Sequence, residues 1–226
     1  MVEQETSVLA KAVKPRFFYG YVVVLATSLI SLVMTGTINS FGVFFKPLLV
    51  EFGWTRAATA GAFFTHSVVH GVILIAAGRF CDRFGPRLIL TVSGFFLGLG
   101  FLLMSQVQAI WQLYLFYGVV LALGKSGSYV PMVSTVARWF VKKRGLMTGI
   151  VLATSSLGET IMPPVVGWLI IAHAWRTSYV IIALIALVPT ILAAQFLKRD
   201  PAQMEQLPYG AKEAETENVT SKIEGL

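Results

Sequence analysis

The chain has 226 residues, 56% of them hydrophobic and 13% charged, with a mean hydropathy of +0.73, which leaves too little charge to cover a soluble domain and specifies an integral membrane protein. The formal net charge of +7 does not point to nucleic acid, because the lysines and arginines cluster between apolar runs, as they do in the cytoplasmic loops of membrane proteins. The single cysteine, Cys81, excludes a disulfide within the chain and leaves the redox compartment open.

Residues 1–16 read as a polar cytoplasmic tail without the pattern of a cleavable signal. Beyond them the charges mark the spans, since an ionised side chain at the bilayer centre is costly. Uncharged runs of 29, 22 and 37 residues follow Arg16, Arg56 and Arg87. The third exceeds one crossing of roughly 20 residues, and Ser105-Gln106-Val107-Gln108 is its natural turn. The sequence therefore predicts an all-α membrane domain of six transmembrane helices, with spans at about 17–45, 57–79, 88–105, 110–137, 145–172 and 177–197. One side of these spans carries twelve lysines and arginines and the other only Lys46, Arg56 and Arg176, which predicts that both termini are cytoplasmic. Residues 198–226 read as a disordered cytoplasmic tail or the start of a longer loop, and the Asn218-Val219-Thr220 sequon in it would be out of reach of glycosylation.

Between the second and third spans lies Gly78-Arg79-Phe80-Cys81-Asp82-Arg83-Phe84-Gly85-Pro86-Arg87. Two glycines let the chain leave one helix and enter the next, while Asp82 near a helix end accepts backbone N–H groups or pairs with an arginine. Gly78, Asp82, Arg83, Gly85 and Arg87 resemble, in order and spacing, the loop between helices two and three of the major facilitator superfamily. Pro86 departs from that pattern, standing where the family more often has a basic residue. Arg138-Trp139-Phe140 with Lys143-Arg144-Gly145 and Gly149 is similar to the loop between helices four and five of the monocarboxylate transporter and oxalate/formate antiporter branch. Asn39 to Phe45, Trp175-Arg176 and Lys198-Arg199-Asp200-Pro201 add further likeness.

The resemblance implies one six-helix half of a two-half transporter, with the substrate site near the membrane midplane between halves. The chain then reads as an N-terminal half: a truncated gene product, a fragment, or a half that pairs with another chain. The resemblance also implies that the Gly78–Arg87 loop latches the two halves in one access state; the alternative is a turn carrying topogenic charge. Where animal members of the branch would have a lysine this chain has Asn39, which argues against strict lactate or pyruvate transport.

Ionisable residues inside spans are functional candidates because their burial is costly. Lys125 lies among Gly124, Ser126, Gly127 and Ser128, small residues that leave room for a neighbouring helix or a ligand. Glu159 shares a face with Ser155 and Ser156. Counted from Val141 in the connecting loop, both charges fall at nearly the same depth on antiparallel helices, so a Lys125–Glu159 pair is expected. The two either handle substrate and protons, form a purely structural pair, or point in unrelated directions. His66 and His70, one turn apart, are candidates for proton relay, anion binding or plain packing. Ser31, Thr35 and Asn39 form a polar stripe on the first span, and Asn39 equally suits an interhelical hydrogen bond. Tyr129 is counted with this pathway.

Gly94 and Gly98 favour close helix contact, and Pro131, Pro163-Pro164 and Pro189 are expected to kink their spans. The histidines have no nearby third ligand, so no metal or other cofactor is expected, and with no nucleophile and base or phosphate loop no enzyme is expected either. The function these features predict is secondary transport of small organic anions such as monocarboxylates by alternating access, with proton coupling or anion exchange. The rivals are a non-transporting remnant or partner subunit, and a transporter of a neutral solute. The expected partners are the lipid bilayer of the cell membrane, a small organic anion, protons and a second half.

Overall fold

The computed structural model describes residues 18–204 and 208–210; the expected N-terminal tail, and the tail from 211 with its sequon, lie outside the described residues. Those residues are helical apart from turns and one isolated bridge between Phe140 and Tyr209. The helices are α1 Gly20–Asn39, α2 Phe41–Phe52, α3 Arg56–Phe84, α4 Pro86–Met104, α5 Ile110–Leu113, a π-helical stretch Tyr114–Val120, α6 Leu121–Ser126, α7 Tyr129–Trp139, α8 Arg144–Gln195 and a 3₁₀ turn Pro201–Met204. Among the described residues, five helical stretches are long and apolar enough to cross a membrane: Gly20–Phe52, Arg56–Phe84, Pro86–Met104, Ile110–Trp139 and Arg144–Gln195.

Several helices run past the charges that outline the spans. The first stretch passes Lys46 and continues to Phe52, stepping at Ser40 but staying helical. Gly78 is not a turn residue: α3 runs through it to Phe84, and the whole reversal falls on Gly85, at φ +82°, a conformation a residue with a Cβ rarely adopts. Pro86 then opens α4, where its missing N–H has no helical partner to lose. The departure from the resembled loop thus sits where proline is well tolerated.

The 52 residues of α8 would extend about 78 Å at 1.5 Å per residue, far more than a bilayer core of about 30 Å. The helix is interrupted at Ala174, whose φ of 61° and ψ of 160° lie outside helical space. Pro163, Pro164 and Pro189 sit inside helical backbone, and the only non-helical dihedrals within α8 are those of Ala174.

Packing is closest between α1 and the first part of α8. A Cβ on Gly158 would lie 2.2 Å from the Leu32 carbonyl oxygen, and one on Gly36 2.6 Å from the Gly158 carbonyl oxygen, so the backbones meet where neither residue has a side chain. Gly94 and Gly98 of α4 instead leave room for the side chains of Thr190 and Leu187 of α8.

Each end of the bundle is tied by polar groups. At one, Arg176 donates to Glu51 (2.9 Å) and to the Ser105 and Val107 carbonyls, and Trp175 Nε1 donates to Glu51. At the other, the chain beyond α8 folds back onto the α7–α8 turn. Tyr209 N–H donates to the Trp139 carbonyl (2.9 Å), the Val141 and Lys142 N–H groups donate to the Tyr209 carbonyl, and buried Trp139 donates to the Lys198 carbonyl. The Tyr209 ring stands against Phe18 and Phe140, with Lys143 Nζ 5.4 Å from its centre.

Candidate transport site

Span four carries the candidate cation on an irregular helix. Seven residues, Tyr114–Val120, adopt the wider π turn, a form that often accompanies functional sites, and the helix stops at Gly127 before restarting at Tyr129. Lys125 is half-buried. The glycines beside it serve helix packing: Gly124 lies against the Leu97 backbone and Gly127 against Ser93, both on α4. The room in the sequence around Lys125 is therefore taken by α4.

The expected Lys125–Glu159 ion pair does not form; among the described residues no acidic oxygen lies within 4.0 Å of Lys125 Nζ. Glu159 accepts a hydrogen bond from Asn39 Nδ2 at 2.8 Å and is exposed, with Lys125 within reach of its charge. A matching depth does not fix which way two side chains face. The polar stripe of α1 meets the serine and glutamate face of α8: Ser31 is hydrogen-bonded to Ser155, and Asn39 to Glu159. Asn39 is thus an interhelical hydrogen bonder, while Thr35, half-buried between them, has no side-chain hydrogen-bond partner among the described residues. Tyr129 lies 54% exposed at the start of α7.

His66 and His70 share a face, their rings 6.2 Å apart and 22° from parallel. His66 is 1% exposed, with Nδ1 3.1 Å from the Tyr117 carbonyl in the π stretch. His70 Nδ1 is 2.9 Å from Ser126 Oγ, next in sequence to Lys125. The α3–span four interface thus gathers both imidazoles, Tyr117, Ser126 and the Lys125 backbone.

At the loop between α3 and α4, Asp82 accepts from Arg138 (3.3 Å), which also pairs with Asp200 at 3.6 Å. Arg87 is hydrogen-bonded to Gln195 Oε1, and Arg83 lies 5.4 Å from the Phe84 ring centre. Lys143, Arg144 and Gly145 form the exposed turn into α8, and Gly145 faces open space. The sequence brought these loops together as charges; the Asp82–Arg138–Asp200 network joins the ends of α3, α7 and α8.

A family model described as Major Facilitator Superfamily matches residues 26–221. The chain belongs to the major facilitator superfamily. Among curated relatives it is 27% identical over 177 residues to "Monocarboxylate transporter 13" of Bos taurus, covering 78% of this chain and 42% of that protein. It is 30% identical over 207 residues to "Monocarboxylate transporter 9" of Mus musculus, covering 90% of this chain and 39% of the relative. It is 28% identical over 152 residues to the "Probable sulfoacetate transporter SauU" of Cupriavidus necator, covering 67% and 35%. The chain spans about two fifths of the length of the curated relatives it matches. A bacterial homologue of the human lysosomal transporter Spinster, solved inward-facing and unoccupied, superposes with a TM-score of 0.70 at 16% identity, over 83% of this chain and 44% of that one. That likeness shows the fold. With the apolar helices it makes this superfamily member an integral, multi-pass membrane protein.

Proposed function

We propose that the chain is the N-terminal half of a secondary transporter for small organic anions, in the monocarboxylate-transporter-like branch, working by alternating access with proton coupling or anion exchange in the cell membrane. Six spans follow if the break at Ala174 divides α8 into two crossings, a reading supported by its length and by Trp175 and Arg176 anchoring the break at the Glu51 end. An even number of crossings and the excess of lysine and arginine on one side support cytoplasmic ends for both 1–16 and 198–226.

The observation that carries the substrate class is Lys125. It is half-buried on an irregular helix and has no acidic partner within 4.0 Å among the described residues, while the nearby carboxylate of Glu159 is already held by Asn39. A cation in a membrane domain needs a counter-charge, and an incoming carboxylate supplies it. Glu159, exposed on the same half, is the group that repels or admits the anion as a second half opens and closes. The Asp82–Arg138–Asp200 network, with Arg83 and Arg87 beside it, is the element that holds one access state. A full-length version carrying a second half, reconstituted in liposomes, tests this: Lys125→Gln is expected to lower at least tenfold the uptake of whichever labelled monocarboxylate the unsubstituted protein carries. Unchanged uptake across pH overturns the anion reading.

A further inference from the structure

The two histidines of α3 are fixed in the same way by different partners. A carbonyl oxygen only accepts, so the 3.1 Å contact to Tyr117 requires a hydrogen on His66 Nδ1. Ser126 Oγ donates to the Ala122 carbonyl at 2.6 Å and therefore offers a lone pair to His70 Nδ1, which must also carry hydrogen. In the neutral rings both Nε2 atoms are then bare acceptors. His66 Nε2 is buried and has no hydrogen-bond partner, an arrangement that is costly unless something else uses it. His66 is 1% exposed and leaves no space for a substrate, whereas His70, one turn along, is half-buried.

We propose that His66 and His70 form a one-proton site, entered at His70 Nε2 and sensed by anion binding at Lys125. This rests on the anion reading for its second clause only. The rings lie 6.2 Å apart with His66 sealed from solvent, where two like charges repel strongly, so the pair holds one proton and not two. The titratable groups facing the pair are Lys125 and the Tyr117 phenol on span four. The other titratable groups on the elements packed against α3 are Lys46 and Glu51 on α2, Arg87 on α4, Tyr114 on the π stretch, and Tyr129 and Arg138 on α7, and none of them is a hydrogen-bond or ring partner of either imidazole. Ser126 links the two sites, since it is bonded to His70 and adjacent to Lys125. A carboxylate on Lys125 and a proton on the pair attract through space, so each favours the other's binding, and by the same factor.

The test uses the 226-residue chain in lipid vesicles, with ¹⁵N-histidine and the His173→Gln change to leave only the pair, followed by NMR from pH 9 to 5. Both rings are expected as the Nδ1–H tautomer at high pH, with one proton taken up per chain on acidification; adding lactate should shift that uptake to higher pH. His70→Gln should abolish the uptake, and Ser126→Ala, which keeps both imidazoles, should release His70 to a mixture of tautomers. Two protons per chain, no protonation of either ring, or an Nε2–H tautomer at His66 overturns the proposal. Tautomers and proton count are read without any transport assay. A site that takes one proton but ignores lactate would therefore overturn its sensing of anions at Lys125 and leave the proton site standing.

Discussion

The first and second membrane-length stretches are built from similar apolar residues and end up in opposite surroundings. Of the most apolar 18 residues of Gly20–Phe52, 61% are buried inside the bundle; for Arg56–Phe84 the share is 17%. The first lies against α8 along a seam of glycine and hydrogen-bonded serine and asparagine. The second turns Phe64, Val72 and Ile75 outward, yet keeps His66 and Ala62 sealed against span four. Hydrophobicity cannot distinguish these fates in a membrane, because lipid is as apolar as leucine; what differs is the fit of small residues and the placing of polar ones.

Three substitutions sharpen the contrast, each read by unfolding of the purified protein in detergent with a thiol-reactive dye that reports exposure of buried Cys81. The largest loss is expected from Gly158→Leu, whose side chain would enter the space of the Leu32 backbone, at the upper end of the about 1–3 kcal/mol typical of overpacking. A loss below that of any surface change would show that the seam gives way easily. Ala174→Gly comes next and in the other direction: relieving a left-handed φ costing about 1–3 kcal/mol, less the flexibility glycine adds, should stabilise by about 1 kcal/mol. Destabilisation instead would mean that the alanine methyl does unseen packing. Phe64→Ala, 69% exposed on α3, should change stability by less than about 0.5 kcal/mol. A larger loss would place Phe64 in a contact within the monomer.

Much of the helical layout was legible because burying charge is expensive everywhere in a bilayer, so the runs between charges outlined the membrane-length stretches and Ser105 to Gln108 marked a true turn. Lys46 broke the rule because a charge near the end of a stretch can reach the interface. The candidate residues could be picked out in the sequence, but their pairings could not. Counting helix rise compared the depths of Lys125 and Glu159 but not their partners: Glu159 is held by Asn39, 120 residues away in sequence, and that has no period to detect. The histidine pair was visible from its one-turn spacing; its anchoring through Tyr117 and Ser126 lies 51 and 56 residues away in sequence and leaves no local trace. The Tyr209 fold-back was missed for the same reason, though the aromatic run of Phe18, Tyr19, Trp139 and Phe140 was a signal that something apolar gathers there.

The stitching of Tyr209 to Trp139, Val141 and Lys142 also resets where a tether begins. A flexible connection would ordinarily be measured from the end of α8 at Gln195, but the backbone is pinned again at 209, beneath the α7–α8 turn. Anything joined beyond Gly210 searches the space around that point, and its effective concentration at any partner surface is set by the distance from α7 rather than from α8. Shortening such a connection would draw its far end toward the turn that carries Lys143 and Arg144.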